Sequence, residues 1–108
     1  MRRFASLRRQ ADFARLRRQG RRTSTQSLII YRSDPLPGDL GSLVGITVSK
    51  SIGKAVVRNK LRRRLAAIVQ DALAQSRAMR LLVVARPLAG GAAFGDLAAE
   101  VTSALGHV

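Results

Sequence analysis

Ser49-Lys-Ser-Ile-Gly-Lys-Ala-Val-Val-Arg-Asn-Lys-Leu-Arg-Arg-Arg-Leu65 carries seven basic side chains and no acid. Read as a helix, Val57, Leu61, Leu65, Ile68, Val69 and Ala72 recur at spacings of three and four, so they form one apolar stripe that must face a core. Asn59 and Arg63 then lie opposite the stripe, with Lys60 and Arg62 to either side. The pairs Arg58/Arg62 and Lys60/Arg64 set like charges four apart, and each costs an isolated helix roughly 0.2–0.5 kcal/mol. A polyanionic partner removes that cost. The helix is expected to open after Ser51 or Gly53 and to run to about Ser76, and its first turn, with free backbone donors, favours a phosphate.

Strands are expected on both sides of this helix. Leu43-Val-Gly-Ile-Thr-Val-Ser49 alternates, with Val44, Ile46 and Val48 on one face and the small or polar Gly45, Thr47 and Ser49 on the other, a face suited to lining a groove. Arg80-Leu-Leu-Val-Val-Ala-Arg86 is almost continuously apolar, as a central strand covered on both faces would be, and Pro87 ends it. From Thr23 to Arg32 the residues turn β-branched, giving one strand centred on Ser27–Arg32 with Leu28 and Ile30 facing one way and Ile29 and Tyr31 the other. The two prolines of Asp34-Pro-Leu-Pro-Gly-Asp-Leu-Gly41 mark a loop, expected to join antiparallel neighbours.

Helices are expected at both ends. Asp12 lies near the start of a short one in which Phe13 and Leu16 share a face and which stops at Gly20. Phe13 is either a core anchor or, framed by Arg9, Arg15, Arg17 and Arg18, a ring on which an unpaired base stacks. After Gly90-Gly91, Phe94, Leu97, Val101 and Ala104 give a last amphipathic helix packed on the core.

A length of 108 residues suits a single domain, residues 1–108, with one modest core. Twenty Lys and Arg against six Asp and Glu give +14, and 17 of the 20 are arginine, whose planar fork matches phosphate oxygens. A polyanion is the expected partner; net charge alone does not separate RNA from DNA or from an anionic membrane surface, but this charge sits on folded elements, not on a tail, and stops at Arg86. The arginine-rich start has scattered apolar residues with no secretory core after it, and no apolar run nears the roughly 18 residues of a membrane span. No membrane partner is expected. With no cysteine, disulfides and thiolate metal sites are excluded and the redox compartment stays undetermined by that count; an intracellular, cytoplasmic chain is the simpler reading.

Side chains for catalysis are scarce. His107 is the only histidine and is next to last, Asp34 and Asp39 are better explained by turn formation than as a metal cluster, and Lys54 follows Gly53 outside any phosphate-loop pattern. A self-sufficient nuclease is therefore disfavoured.

Val44-Gly-Ile-Thr-Val-Ser-Lys50 running into Ile52-Gly-Lys-Ala-Val-Val-Arg-Asn-Lys-Leu-Arg-Arg-Arg-Leu65 resembles the protein component of bacterial ribonuclease P. The family's Arg-Asn-Arg/Lys motif stands here as Arg58-Asn59-Lys60, followed by Arg62 and Arg63. The basic start leading to Asp12-Phe13, the strand Leu28-Ile-Ile-Tyr31 and Leu82-Val-Val-Ala-Arg-Pro87 agree with it, so the likeness runs from about Leu7 to Leu105. It implies an α/β sandwich of about four strands and three helices, with an unusual left-handed βαβ crossover. It implies an RNA subunit that carries the catalytic centre, uses Mg2+ and cleaves the 5′ leader from precursor tRNA, so that this chain would be the RNA-binding accessory subunit with no obligate protein partner. Lys54, Arg58, Asn59, Lys60, Arg62 and Arg63 would then face the catalytic RNA, and Phe13, Arg17, Tyr31, Ser49 and Lys50 the leader. Arg17 departs from the pattern, because many relatives carry a second aromatic there. A ribosomal or nucleoid RNA-binding protein without a role in cleavage is the alternative.

Overall fold

Strand β5 (Arg80–Ala85) has five of its six residues buried because both faces of the sheet are covered at its centre. The computed structural model describes residues 4–106, so His107 lies outside them. Around β5 the sheet runs β1 (Phe4–Ser6), β4 (Ser42–Thr47), β5, β3 (Leu28–Ser33), β2 (Arg21–Ser24). Strands β1, β4 and β5 are parallel, and β3 and β2 run antiparallel to their neighbours. Five strands stand where about four were expected. The extra ones are short: β1 forms only by pairing with β4, and the stretch from Thr23 splits into a hairpin because Thr25 Oγ1 both accepts from Leu28 N–H and donates to Leu28 O. The proline loop does not join neighbours either, since β5 inserts between β3 and β4 and pairs with both.

Helix α2 (Ala55–Leu73) makes the crossover from β4 to β5. Its stripe packs Leu61, Leu65, Ile68, Val69 and Leu73 on Val44, Val48, Leu81 and Val83, and burying a side chain such as Leu65 contributes roughly 1.5–3 kcal/mol. Val57, expected in that stripe, is 38% exposed and lies instead over Gly53 and Gly90, one turn before the helix meets the sheet. The helix also ends earlier than Ser76. Its last turn tightens into three-residue hydrogen bonds, Gln75 N–H to Ala72 O and Ser76 N–H to Leu73 O.

Helix α3 (Phe94–Ala104) completes this layer with Leu97, Val101 and Ala104 buried. Phe94 was expected to join them but is 43% exposed, at the mouth of a cleft between α2 and α3. On the other face of the sheet, α1 (Gln10–Gln19) buries Leu16 against Leu7 and Leu82, with Phe13, Tyr31, Leu43 and Val84 around them. It stops at Gly20 as expected, but through close approach and not a left-handed turn. The Gly20 backbone is extended, and a Cβ there would stand 2.5 Å from Leu16 O.

Candidate nucleic-acid interface

Alternation along β4 decides what each face of the sheet offers. Val44, Ile46 and Val48 point into the α2 layer, so Gly45 and Thr47 lie on the α1 face. Register then places Gly45, Leu82, Tyr31 and Arg22 in one row across β4, β5, β3 and β2, with Thr47, Val84, Ile29 and Ser24 in the next. The Phe13 ring rests on Gly45, where an added Cβ would come 2.7 Å from Phe13 Cε1, so the absence of a side chain lets the ring approach the backbone. Half-buried Phe13 and Tyr31 both pack around Leu82.

Phe13 separates two grooves. One, about 440 Å³, is lined by Gln10, Phe13, Ala14, Arg17 and Thr47, which puts Arg17 one turn of α1 beyond the ring with its cation beside it. The other, about 330 Å³, runs from Phe4, Leu7 and Phe13 across Gly45 to Arg62 and Arg63 of α2. Strand β1 stops after Ser6 pairs with Val44, and Leu7 N–H makes the last bond to Val44 O, so Gly45 and Ile46 present the outer edge of β4 to this groove. Tyr31 lines neither groove, and Ser49 and Lys50 stand at the end of β4, exposed, with Ser49 Oγ 2.6 Å from Ser51 Oγ.

On α2, Lys54, Asn59, Lys60, Arg62 and Arg63 are exposed, while Arg58 is half-buried with an enclosed Nε that has no acceptor. Arg62 is held at two points: Nη1 donates to Asn59 Oδ1 at 3.0 Å and Nη2 to Val48 O at 3.3 Å. Those bonds aim it from the helix toward the end of β4. The basic helix and the Phe13 groove, expected as separate surfaces, therefore meet at Arg62 and Arg63. Lys54 caps α2 with no side-chain bond, leaving the positive end of the helix open beside its ammonium.

One group on this face was not anticipated. Arg80, 8% exposed, is gripped by two carboxylates: Nε and Nη2 bond Asp39 Oδ2 and Oδ1 at 2.8 and 3.0 Å, and Nη1 bonds Asp12 Oδ1 at 2.9 Å. The hydrogen bond from Arg80, helped by Leu36 N–H, holds the Asp39 carboxyl down at about 2. In return the guanidinium is raised above its usual range, chiefly by Asp39. The triad ties the first turn of α1 and the proline loop to the start of β5, and Asp12 is the residue before Phe13. The signal available in the sequence was an arginine opening a wholly apolar strand, which needs carboxylate partners once buried.

The sequence model of the Ribonuclease P family matches residues 1–108. The chain belongs to the ribonuclease P protein family. The ribonuclease P protein component of Acidothermus cellulolyticus is 41% identical over 103 residues, spanning 94% of this chain and 86% of that one. That of Thermobifida fusca is 39% identical over 106 residues, 92% of this chain and 72% of its own. Among solved structures, the Staphylococcus aureus RNase P protein superposes with a TM-score of 0.79 at 23% identity, covering 91% of this chain and 89% of that one. The Thermotoga maritima RNase P protein, in complex with 1-(4-fluorophenyl)-2-thiourea, gives 0.80 at 21%, covering 94% and 98%. The ribonuclease P protein fold is thus shared at low identity. As a ribonuclease P protein the chain partners the ribonuclease P RNA.

Asp12 and Asp39 are both spent on Arg80, and among the described residues no group of three His, Cys, Asp or Glu gathers.

Proposed function

We propose that the chain is the accessory subunit of an RNA-based endoribonuclease, with α2 docking the catalytic RNA and the α1 face of the sheet holding the 5′ leader of precursor tRNA. The observation that carries this reading is the continuous path from the basic face of α2, through Arg62 and Arg63, to the Phe13 groove. Phosphates of a folded RNA suit the exposed Lys54, Lys60, Arg62 and Arg63, with Arg58 and Asn59 offering fixed donors and acceptors between them. A single strand suits the other end. Phe13 offers a ring face, Arg17 a cation beside it, and the edge of β4 free backbone groups, while Tyr31 supports the ring through Leu82 and Ser49 and Lys50 stand at the exit.

Bond cleavage belongs to the RNA in this reading, together with the Mg2+ it needs, and the work proceeds in the cytoplasm. What the protein residues do is neutralise phosphates and hold the leader extended. Measured binding of precursor and mature tRNA by the reconstituted complex tests the division. Phe13→Leu keeps an apolar side chain over Gly45 but removes the ring, and is expected to weaken precursor binding by about 1–3 kcal/mol while leaving mature tRNA unchanged. Equal weakening of both would remove Phe13 from the leader site.

A further inference from the structure

A cavity of about 540 Å³ opens at the other end of α2, lined by Arg21, Arg32, Arg77, Asp34 and the turn after the helix. Nineteen helical residues at about 1.5 Å each set it roughly 28 Å from Lys54, so it belongs to neither surface described above. Its three arginines come from three elements: Arg21 opens β2, Arg32 lies on β3, and Arg77 is in the link from α2 to β5. Arg21 and Arg32 are cross-strand partners, and like charges directly opposite on neighbouring strands repel.

Among the described residues no acid pairs with Arg21 or Arg32 to relieve that repulsion. Arg32 Nη1 donates to Leu105 O at 3.1 Å, which fixes the guanidinium at the wall of the cavity without neutralising it. Arg21 and Arg77 make no ion pair among the described residues, and neither does Asp34, the one acid on the lining. The carbonyls at the end of α2 are already engaged, Ala72 O by Ser76 Oγ and Leu73 O by Ser76 N–H. Among the described residues, three guanidinium groups therefore share one carboxylate around an open, polar space.

We propose that this cavity is a second phosphate-binding site, which takes the backbone of RNA. Arginine forks from three directions suit phosphate oxygens. Among the described residues no aromatic ring lines the space, so the contact expected there is to the backbone and not to bases. Engaged at both ends of α2, an RNA partner would fix the protein's orientation as well as its position.

The test uses the full chain alone, following the Nε–Hε NMR signals of its arginines during titration with pyrophosphate and, separately, with a short single-stranded RNA. Because neither catalytic RNA nor precursor tRNA is present, the outcome is independent of the function proposed above. Arg21, Arg32 and Arg77 are expected to shift with both ligands. In the double variant Arg21→Gln with Arg77→Gln, which leaves the Arg32 bond to Leu105 in place, the Arg32 response should need at least about tenfold more RNA, the worth of one lost charge-assisted hydrogen bond. Signals on α2 should titrate as before, which also reports that the variant is folded. No shift at these arginines, a shift with pyrophosphate but not RNA, or an unchanged Arg32 response in the double variant would each overturn the proposal.

Discussion

Arg80 and Gly45 shape the candidate leader face more than any residue whose chemistry stands out in the sequence. Phe13 is visible as an aromatic among arginines, but what sets its height above the sheet is a missing side chain on β4, and what holds its helix is an arginine on β5. The groove-facing side of Gly45 was legible from the alternation of β4, but the ring's seat on it was not, and the partners of Arg80 were hidden because it meets its carboxylates across 41 and 68 residues of chain. The triad carries a pH dependence. Asp39, held at about 2 against an ordinary 3.8, favours the folded state whenever it is ionised, so its contribution is complete above about pH 4 and lost as pH falls through 2. Asp39→Asn is therefore expected to melt several degrees below the wild type at pH 5, with the gap narrowing between pH 4 and 2. Melting temperatures recorded from pH 2 to 6 check this; parallel curves would mean that Asp39 and Arg80 do not act as a pair.

At the scale of elements, α2 was legible because its 3.6-residue period is sustained from Leu61 to Ala72, whereas Val57 fell outside the core since the helix has not yet reached the sheet there. Strand β5 was legible from its unbroken apolar run. The three- and four-residue β1 and β2 were not, because they exist through pairing with β4 and β3 and carry no apolar alternation of their own. The same helix joins two jobs, an apolar stripe inward and a cationic face outward, meeting the groove at Arg62 and Arg63. Replacing both by alanine is expected to lower affinity for the ribonuclease P RNA and to reduce the slope of log affinity against log salt by roughly 0.7–0.9 for each phosphate no longer neutralised. Binding isotherms at several salt concentrations measure that slope, and an unchanged one would mean that these arginines touch no phosphate.

The whole molecule is strongly cationic, with +14 on 108 residues, and like charges crowd on α1, along the first half of α2 and around the cavity at its far end. Anions that bind the folded state should stabilise it by mass action. Sulfate in the millimolar range is thus expected to raise the melting temperature by several degrees more than chloride at equal ionic strength, which thermal melts in the two salts will show. The strand order lay beyond the sequence, because the position of β5 between β3 and β4 depends on which edges α2 and the proline loop leave open.

Reconstitution at low magnesium distinguishes the proposed accessory RNA-binding subunit from a self-sufficient nuclease. Precursor tRNA is incubated with the protein alone, with the catalytic RNA alone, and with both, and release of the 5′ leader is followed. Cleavage is expected only when both are present. Cleavage by the protein alone, or a rate with the RNA that the protein leaves unchanged, would contradict it.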